Sequence, residues 1–119
     1  MLREVLIAKL HNLTVTQACL EYEGSIGLDR AWLRRAGLHP FEQVQVYNIT
    51  NGERFETYII EEEEGSRRVT LNGAAARKGS VGDRIIVAAY GFVEEEEAGR
   101  WKPRILIFNG RDNRLVQEK

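Results

Sequence analysis

Apolar and polar positions alternate along much of this chain with a period near two, the spacing of a strand that buries one face. Leu2–His11 alternates in part, and Asn12-Leu13 interrupts it. Leu13–Leu20 (LTVTQACL) is rich in β-branched residues, which suit a pleated, half-buried surface. Val44–Thr50 and Glu53–Ile60 flank Asn51-Gly52, the strongest two-residue hairpin signal, because both turn positions need φ > 0. Glu64-Gly65-Ser66 predicts a turn, Arg68–Leu71 a short strand, and Asn72-Gly73 a second turn. Arg84–Tyr90 (RIIVAAY) and Ile105–Phe108 complete the predicted strands.

Helical periodicity is concentrated in one segment. Leu28, Trp32, Leu33 and Ala36 lie at helical spacing, Asp29 can cap the first turn, and Gly37 can close the last. Ala74–Arg77 is a candidate for one further turn, and Glu94–Ala98 for a short helix limited by Gly99 and Pro103. Many short strands and few helices predict a mainly β protein, a small closed β-barrel with short helices.

Composition narrows the partners. At 119 residues the chain fits one domain, residues 1–119, with no linker or internal repeat. Lys plus Arg number 17 against 18 Asp plus Glu, so nothing favours nucleic acid or an anionic membrane as a partner. Cys19 is the only cysteine, which excludes an internal disulfide, a CxxC redox pair and a Cys-rich zinc site. No apolar run approaches the ~20 residues of a membrane span. The start, Met1-Leu-Arg-Glu-Val, has no signal-peptide h-region, so a soluble, cytoplasmic protein is expected. The Glu61–Glu64 and Glu94–Glu97 runs read as solvated loop surface.

The usual catalytic inventory is thin. His11 and His39 stand far apart and in no metal-ligand spacing, and there is no Walker loop, GxGxxG or GxSxG. Two segments remain. Tyr22-Glu23-Gly24-Ser25-Ile26 is either a plain Gly-Ser turn or a self-processing site. In the second reading the serine hydroxyl attacks the preceding carbonyl, and glycine permits the strained backbone that attack needs. Elimination then breaks the chain and leaves dehydroalanine, which hydrolyses to a pyruvoyl ketone. Asn51–Tyr58 is the other segment. Arg54 and Tyr58 share a strand face with Cα atoms ~13 Å apart, while Thr57 faces the other way unless a bulge re-aims it. Arg offers a planar fork for a carboxylate and Tyr a proton donor; a surface arginine and a packed tyrosine are the plainer alternative. Lys9 and His11 also share a face, where solvation is the default.

Together these segments resemble the pyruvoyl-dependent aspartate decarboxylase family. The resemblance is carried by Lys9-Leu10-His11, Tyr22 with Gly24-Ser25, Asp29, Ala36-Gly37, Asn51-Gly52, Arg54, Thr57-Tyr58, Gly65-Ser66, Asn72-Gly73-Ala74-Ala75-Ala76 and Gly82-Asp83. Each piece is common; their order and separations together are specific. From about Gly91 onward the match is least clear.

The resemblance implies a six-stranded double-ψ β-barrel and a homotetramer with active sites between subunits. It implies self-cleavage between Gly24 and Ser25 into a β chain, 1–24, and an α chain, 25–119, that begins with a pyruvoyl group made from Ser25. That covalent group would form a Schiff base with L-aspartate and yield β-alanine and CO2, for pantothenate and coenzyme A synthesis. Arg54 would bind substrate carboxylate, Tyr58 donate the proton, Lys9 serve as an active-site cation and Thr57 assist processing and line the substrate site. Asn72, Gly73, Ala74 and Ala75 would shape the pocket; no metal is implied. Tyr47 stands where some members have another aromatic residue, and Ile26 where some have cysteine. Two alternatives stay open: a pyruvoyl enzyme for another amino acid such as glutamate, which one methylene separates by only ~1–3 kcal/mol, and a non-catalytic β-barrel binding module.

Overall fold

Nine strands, two α-helices and a 3-10 helix make up the fold in a computed structural model that describes residues 1–119. The strands are β1 (Leu2–Thr14), β2 (Gln17–Cys19), β3 (Ser25–Asp29), β4 (Gln43–Asn48), β5 (Arg54–Glu62), β6 (Val69–Asn72), β7 (Arg84–Glu94), β8 (Arg104–Phe108) and β9 (Leu115–Glu118). The helices are α1 (Arg30–Ala36) and α2 (Glu95–Ala98), with the 3-10 helix at Gly73–Arg77.

Local chemistry explains where elements start and stop. Asp29 caps α1 by accepting the N–H of Ala31 at 2.9 Å, and Gly37 ends it in the left-handed conformation at φ 72°. Asp29 is itself buried and also accepts the N–H groups of Gly65 and Arg67, at 3.1 and 2.8 Å, so one carboxylate ties the helix to the loop after β5. The expected interruption at Asn12 is instead a bulge: Asn12 takes φ 71°, the pairing skips one residue against β7, and β1 continues to Thr14. The hairpin between β4 and β5 also differs from a two-residue turn. Its strands close through the N–H of Asn48 to the carbonyl of Glu53, leaving the four-residue loop Ile49–Gly52. The buried Asn48 side chain holds that loop by accepting the N–H groups of Thr50 and Asn51.

The strand order is β2-β6-β3-β5-β4-β7-β1-β8-β9. β5 carries the sheet around a corner: Arg54–Tyr58 pair with β4, and Ile59–Glu62 pair in parallel with β3. Hydrophobic residues of the inner face, among them Leu10, Ile26, Ile59, Leu71, Val87 and Phe108, form one buried core under this curved sheet. Trp32 of α1 packs edge-on against Phe108 with ring centroids 4.9 Å apart. The protein is thus mainly β with short helices, as its pattern predicts, but the pairing differs from a closed six-stranded barrel. Nine strands take part, and no ladder joins β2 to β9, edge strands of only 3 and 4 residues.

Candidate active site

Ser25 opens β3 with its side chain almost wholly buried, 3% exposed. It lies opposite Asn72 in the antiparallel pair with β6, and the Asn72 amide donates to Ser25 Oγ at 3.1 Å. Asn72 is buried too, and its other neighbour in the sheet is Cys19 of β2. Alternation along β3 sends Ile26 and Leu28 into the core, so Ser25 faces the opposite side. There Ser25, Tyr58, Ile60 and Asn72 line a cleft of about 430 Å³, walled by Glu21, Tyr22 and Glu23. No histidine or carboxylate hydrogen-bonds the serine hydroxyl; its one protein partner is the Asn72 amide.

The segment before Ser25 rests on Gly73, which has φ 61°. A Cβ there would stand 2.5 Å from the carbonyl oxygen of Tyr22 and 2.7 Å from the nitrogen of Gly24. Only glycine allows this backbone to lie so close. Ala74 follows with its nitrogen 4.0 Å from where a Gly24 Cβ would stand, while Ala75 is buried in the core. The loop Asn72–Ala75 is therefore a cradle under the Gly24–Ser25 bond.

A second constellation occupies the outer face of the sheet formed by β1, β7, β4 and β5. The register sets His11, Ile86, Tyr47 and Arg54 in one row, and Lys9, Ala88, Gln45 and Glu56 in the next. The Arg54 guanidinium stacks over the Tyr47 ring, 3.9 Å from its centroid, and the Tyr47 hydroxyl is 2.8 Å from that of Tyr90. Neither Lys9 nor Arg54 takes part in any of the molecule's side-chain ion pairs. Glu56, the nearest carboxylate in the rows, is engaged by the side-chain amides of Gln43 and Gln45. Partial burial pushes the His11 imidazole below its ordinary range, and the positive charges of Lys9 and Arg84 add to that. Tyr90 is pushed the other way, chiefly by its bond to Tyr47 and then by burial.

The aspartate decarboxylase family model matches residues 1–116. Over 117 residues the chain is 53% identical to the aspartate 1-decarboxylase of Thioalkalivibrio sulfidiphilus (strain HL-EbGR7), covering 98% of this chain and 92% of that one. The corresponding protein of Tolumonas auensis (strain DSM 9187 / NBRC 110442 / TA 4) is 51% identical over 113 residues, 95% and 90% of the two chains. That of Ralstonia nicotianae (strain ATCC BAA-1114 / GMI1000) is 48% identical over 119 residues, 100% and 98%. The chain belongs to the aspartate decarboxylase family.

For a member of the aspartate decarboxylase family, the predicted site residues fall into two groups. Ser25, Tyr58 and Asn72 meet in one cleft, with Gly24, Gly73 and Ala74 beside it. Lys9 and Arg54 do not reach it: β5, β4 and β7 intervene between β3 and β1, and Arg54 lies at the end of β5 far from its pairing with β3. Nor do Arg54 and Tyr58 converge on one anion, since Arg54 stacks on Tyr47 while Tyr58 packs near Phe41, ring centroids 6.3 Å apart. Thr57 meets no bulge in its pairing with β4, so alternation sends it away from Tyr58's face; it borders a neighbouring pocket with Phe41 and Tyr58. Tyr90 was not singled out by sequence. Alternation in RIIVAAY puts it on one face with Ile86 and Ala88, but its meeting with Tyr47 depends on the β4–β7 register.

Proposed function

We propose that this chain decarboxylates L-aspartate to β-alanine and CO2 after cutting itself between Gly24 and Ser25. The observation that carries this reading is the buried Ser25 hydroxyl, oriented by Asn72 and preceded by backbone pressed onto Gly73. Because the Asn72 amide donates to Oγ, the hydroxyl keeps its own proton for transfer. Oγ attacks the Gly24 carbonyl carbon, the C–N bond of the amide breaks, and an ester joins the two halves. Loss of the residue 25 α-proton and cleavage of its Cβ–Oγ bond then release the Gly24 carboxylate, which keeps Oγ, and leave dehydroalanine. Water converts this to the pyruvoyl ketone with loss of ammonia. The reaction occurs once per chain, so a strong general base beside Ser25 is not required.

The ketone supplies an electron sink for the carbanion that loss of CO2 leaves behind. The chain's own residues do the rest. Tyr58, in the same cleft as Ser25, holds a phenolic proton for the α-carbon. Arg54 and Lys9 are cations without carboxylate partners, suited to binding the carboxylates of aspartate. Since they lie off the Ser25 cleft within one chain, this reading has a second copy bring its outer face to that cleft, in a homotetramer with active sites between subunits. Thr57 belongs to the processing step in the same proposal. The family's double-ψ barrel, a cytoplasmic location and delivery of β-alanine to pantothenate synthesis go with it.

The test is intact mass of purified protein with and without hydroxylamine, followed by product analysis with aspartate and glutamate. Two fragments divided after Gly24, the larger gaining the reagent, and β-alanine from aspartate are expected. A single unreactive chain that makes no amine product overturns the proposal, and faster turnover of glutamate reassigns the substrate.

A further inference from the structure

We propose that Tyr90 is a positioning residue for substrate binding, fixing the Tyr47 ring so that it holds the Arg54 guanidinium ready for a carboxylate. This rests on the reading of Arg54 as the carboxylate binder.

Three residues from three strands make one chain of contacts. Tyr90 of β7 shares a hydroxyl–hydroxyl hydrogen bond of 2.8 Å with Tyr47 of β4, and the Tyr47 ring lies 3.9 Å beneath Arg54 of β5. The two tyrosines are not in the same row. Tyr47 pairs with Ile86, the next row is Gln45 with Ala88, and Tyr90 lies two residues beyond Ala88. Their hydroxyls therefore meet by leaning across the Gln45–Ala88 row. Ala88 belongs to the outer face and is absent from the core cluster, yet it is only 1% exposed. The small residue leaves room for the bridge.

The bridge matters because Arg54 is exposed and has no ion pair or hydrogen bond of its own to fix it. A long cation free to sample rotamers must lose that freedom when it binds a carboxylate. Stacking on an aromatic face restrains it beforehand without using the donors of its fork. The face restrains it only if the ring is fixed, and Tyr47 is anchored at its far end by Tyr90. The same hydrogen bond pushes the Tyr90 phenol above its ordinary range. Tyr90 is 42% exposed and adds little to the core, which separates its effect on binding from any effect on folding.

The experiment is steady-state kinetics on self-processed Tyr90→Phe, Tyr47→Phe, the double variant and Arg54→Lys, with thermal melts and self-cleavage followed in parallel. Tyr90→Phe is expected to raise KM for aspartate about 2–5-fold, the range of an exposed cation–π contact, with kcat, melting and cleavage unmoved. Tyr47→Phe is expected to match it, and the double variant to be no worse than either single change, because both hydroxyls serve one bond. An unchanged KM in Tyr90→Phe beside a raised one in Arg54→Lys overturns the role of Tyr90 and leaves Arg54 standing. Additive effects in the double variant also overturn it. An unchanged KM in Arg54→Lys removes Arg54 as the carboxylate binder, and the role of Tyr90 with it.

Discussion

The Ser25 cleft and the outer face around Arg54 are built by opposite means. Ser25 is buried, its hydroxyl is fixed by a buried amide, and the backbone before it lies against a glycine. The Arg54 face is open, its cations lack carboxylate partners, and its geometry comes from side chains reaching across strands. The first arrangement suits a reaction of the chain on itself, where both reactants are covalently held. The second suits a charged molecule that must arrive and leave. Damage to Ser25 or to the backbone packed beside it should therefore stop chain cleavage, and damage to the outer face should alter only substrate dependence.

Ser25→Ala is the sharpest separation. Without Oγ the chain should run as one intact band on a gel and make no β-alanine; cleavage at the same bond in this variant would discard the acyl shift. Gly73→Ala comes next, since its Cβ would meet Tyr22 and Gly24 and the left-handed backbone adds strain. Cleavage should fall to a trace over days, and melting should drop by the equivalent of about 1–3 kcal/mol. Normal cleavage here would mean that the cradle is not needed. Tyr58→Phe should cleave normally but lose about 100-fold in kcat, and near-normal turnover by single-turnover kinetics would remove it as proton donor. Arg54→Lys should also cleave normally, with KM raised about 10-fold because a point charge replaces a fork.

The smallest expected effect concerns His11. Its folded-state titration lies below the ordinary value of 6.5, so the unfolded chain binds the proton more readily. His11 therefore contributes stability in full above pH ~6.5 and loses it as pH falls through the lower folded value. His11→Gln should flatten the acid side of a melting-temperature profile, and an unaltered slope would show that other groups dominate it.

Much of the cleft was legible because its pieces carry short sequence signals. Asp29 and Gly37 mark both ends of α1, and Gly24-Ser25 and Asn72-Gly73 carry their own chemistry and conformational demands. The outer face was legible only as residue types, because Tyr47 meets Tyr90 and Arg54 through strand register. Asn12 misled because a left-handed asparagine can end a strand or bulge within one, and only the partner strand decides. Asn51-Gly52 suggested the tightest hairpin, but the buried Asn48 organises a longer loop by bonding to the next two N–H groups available. β9 went unnoticed since its short, mostly exposed run is held chiefly by backbone pairing, including reciprocal bonds between Lys119 and Ile105.

The position of β1 has a consequence for a chain divided after residue 24. β1 belongs to the amino-terminal piece, yet it lies between β7 and β8, both on the other piece, and contributes Leu10 and Leu13 to the shared interior. The two peptides are interwoven, so severing the covalent link leaves neither one a separable module. Synthetic 1–24 mixed with separately produced 25–119 should therefore reconstitute as a split protein, each half acting as the folding template of the other.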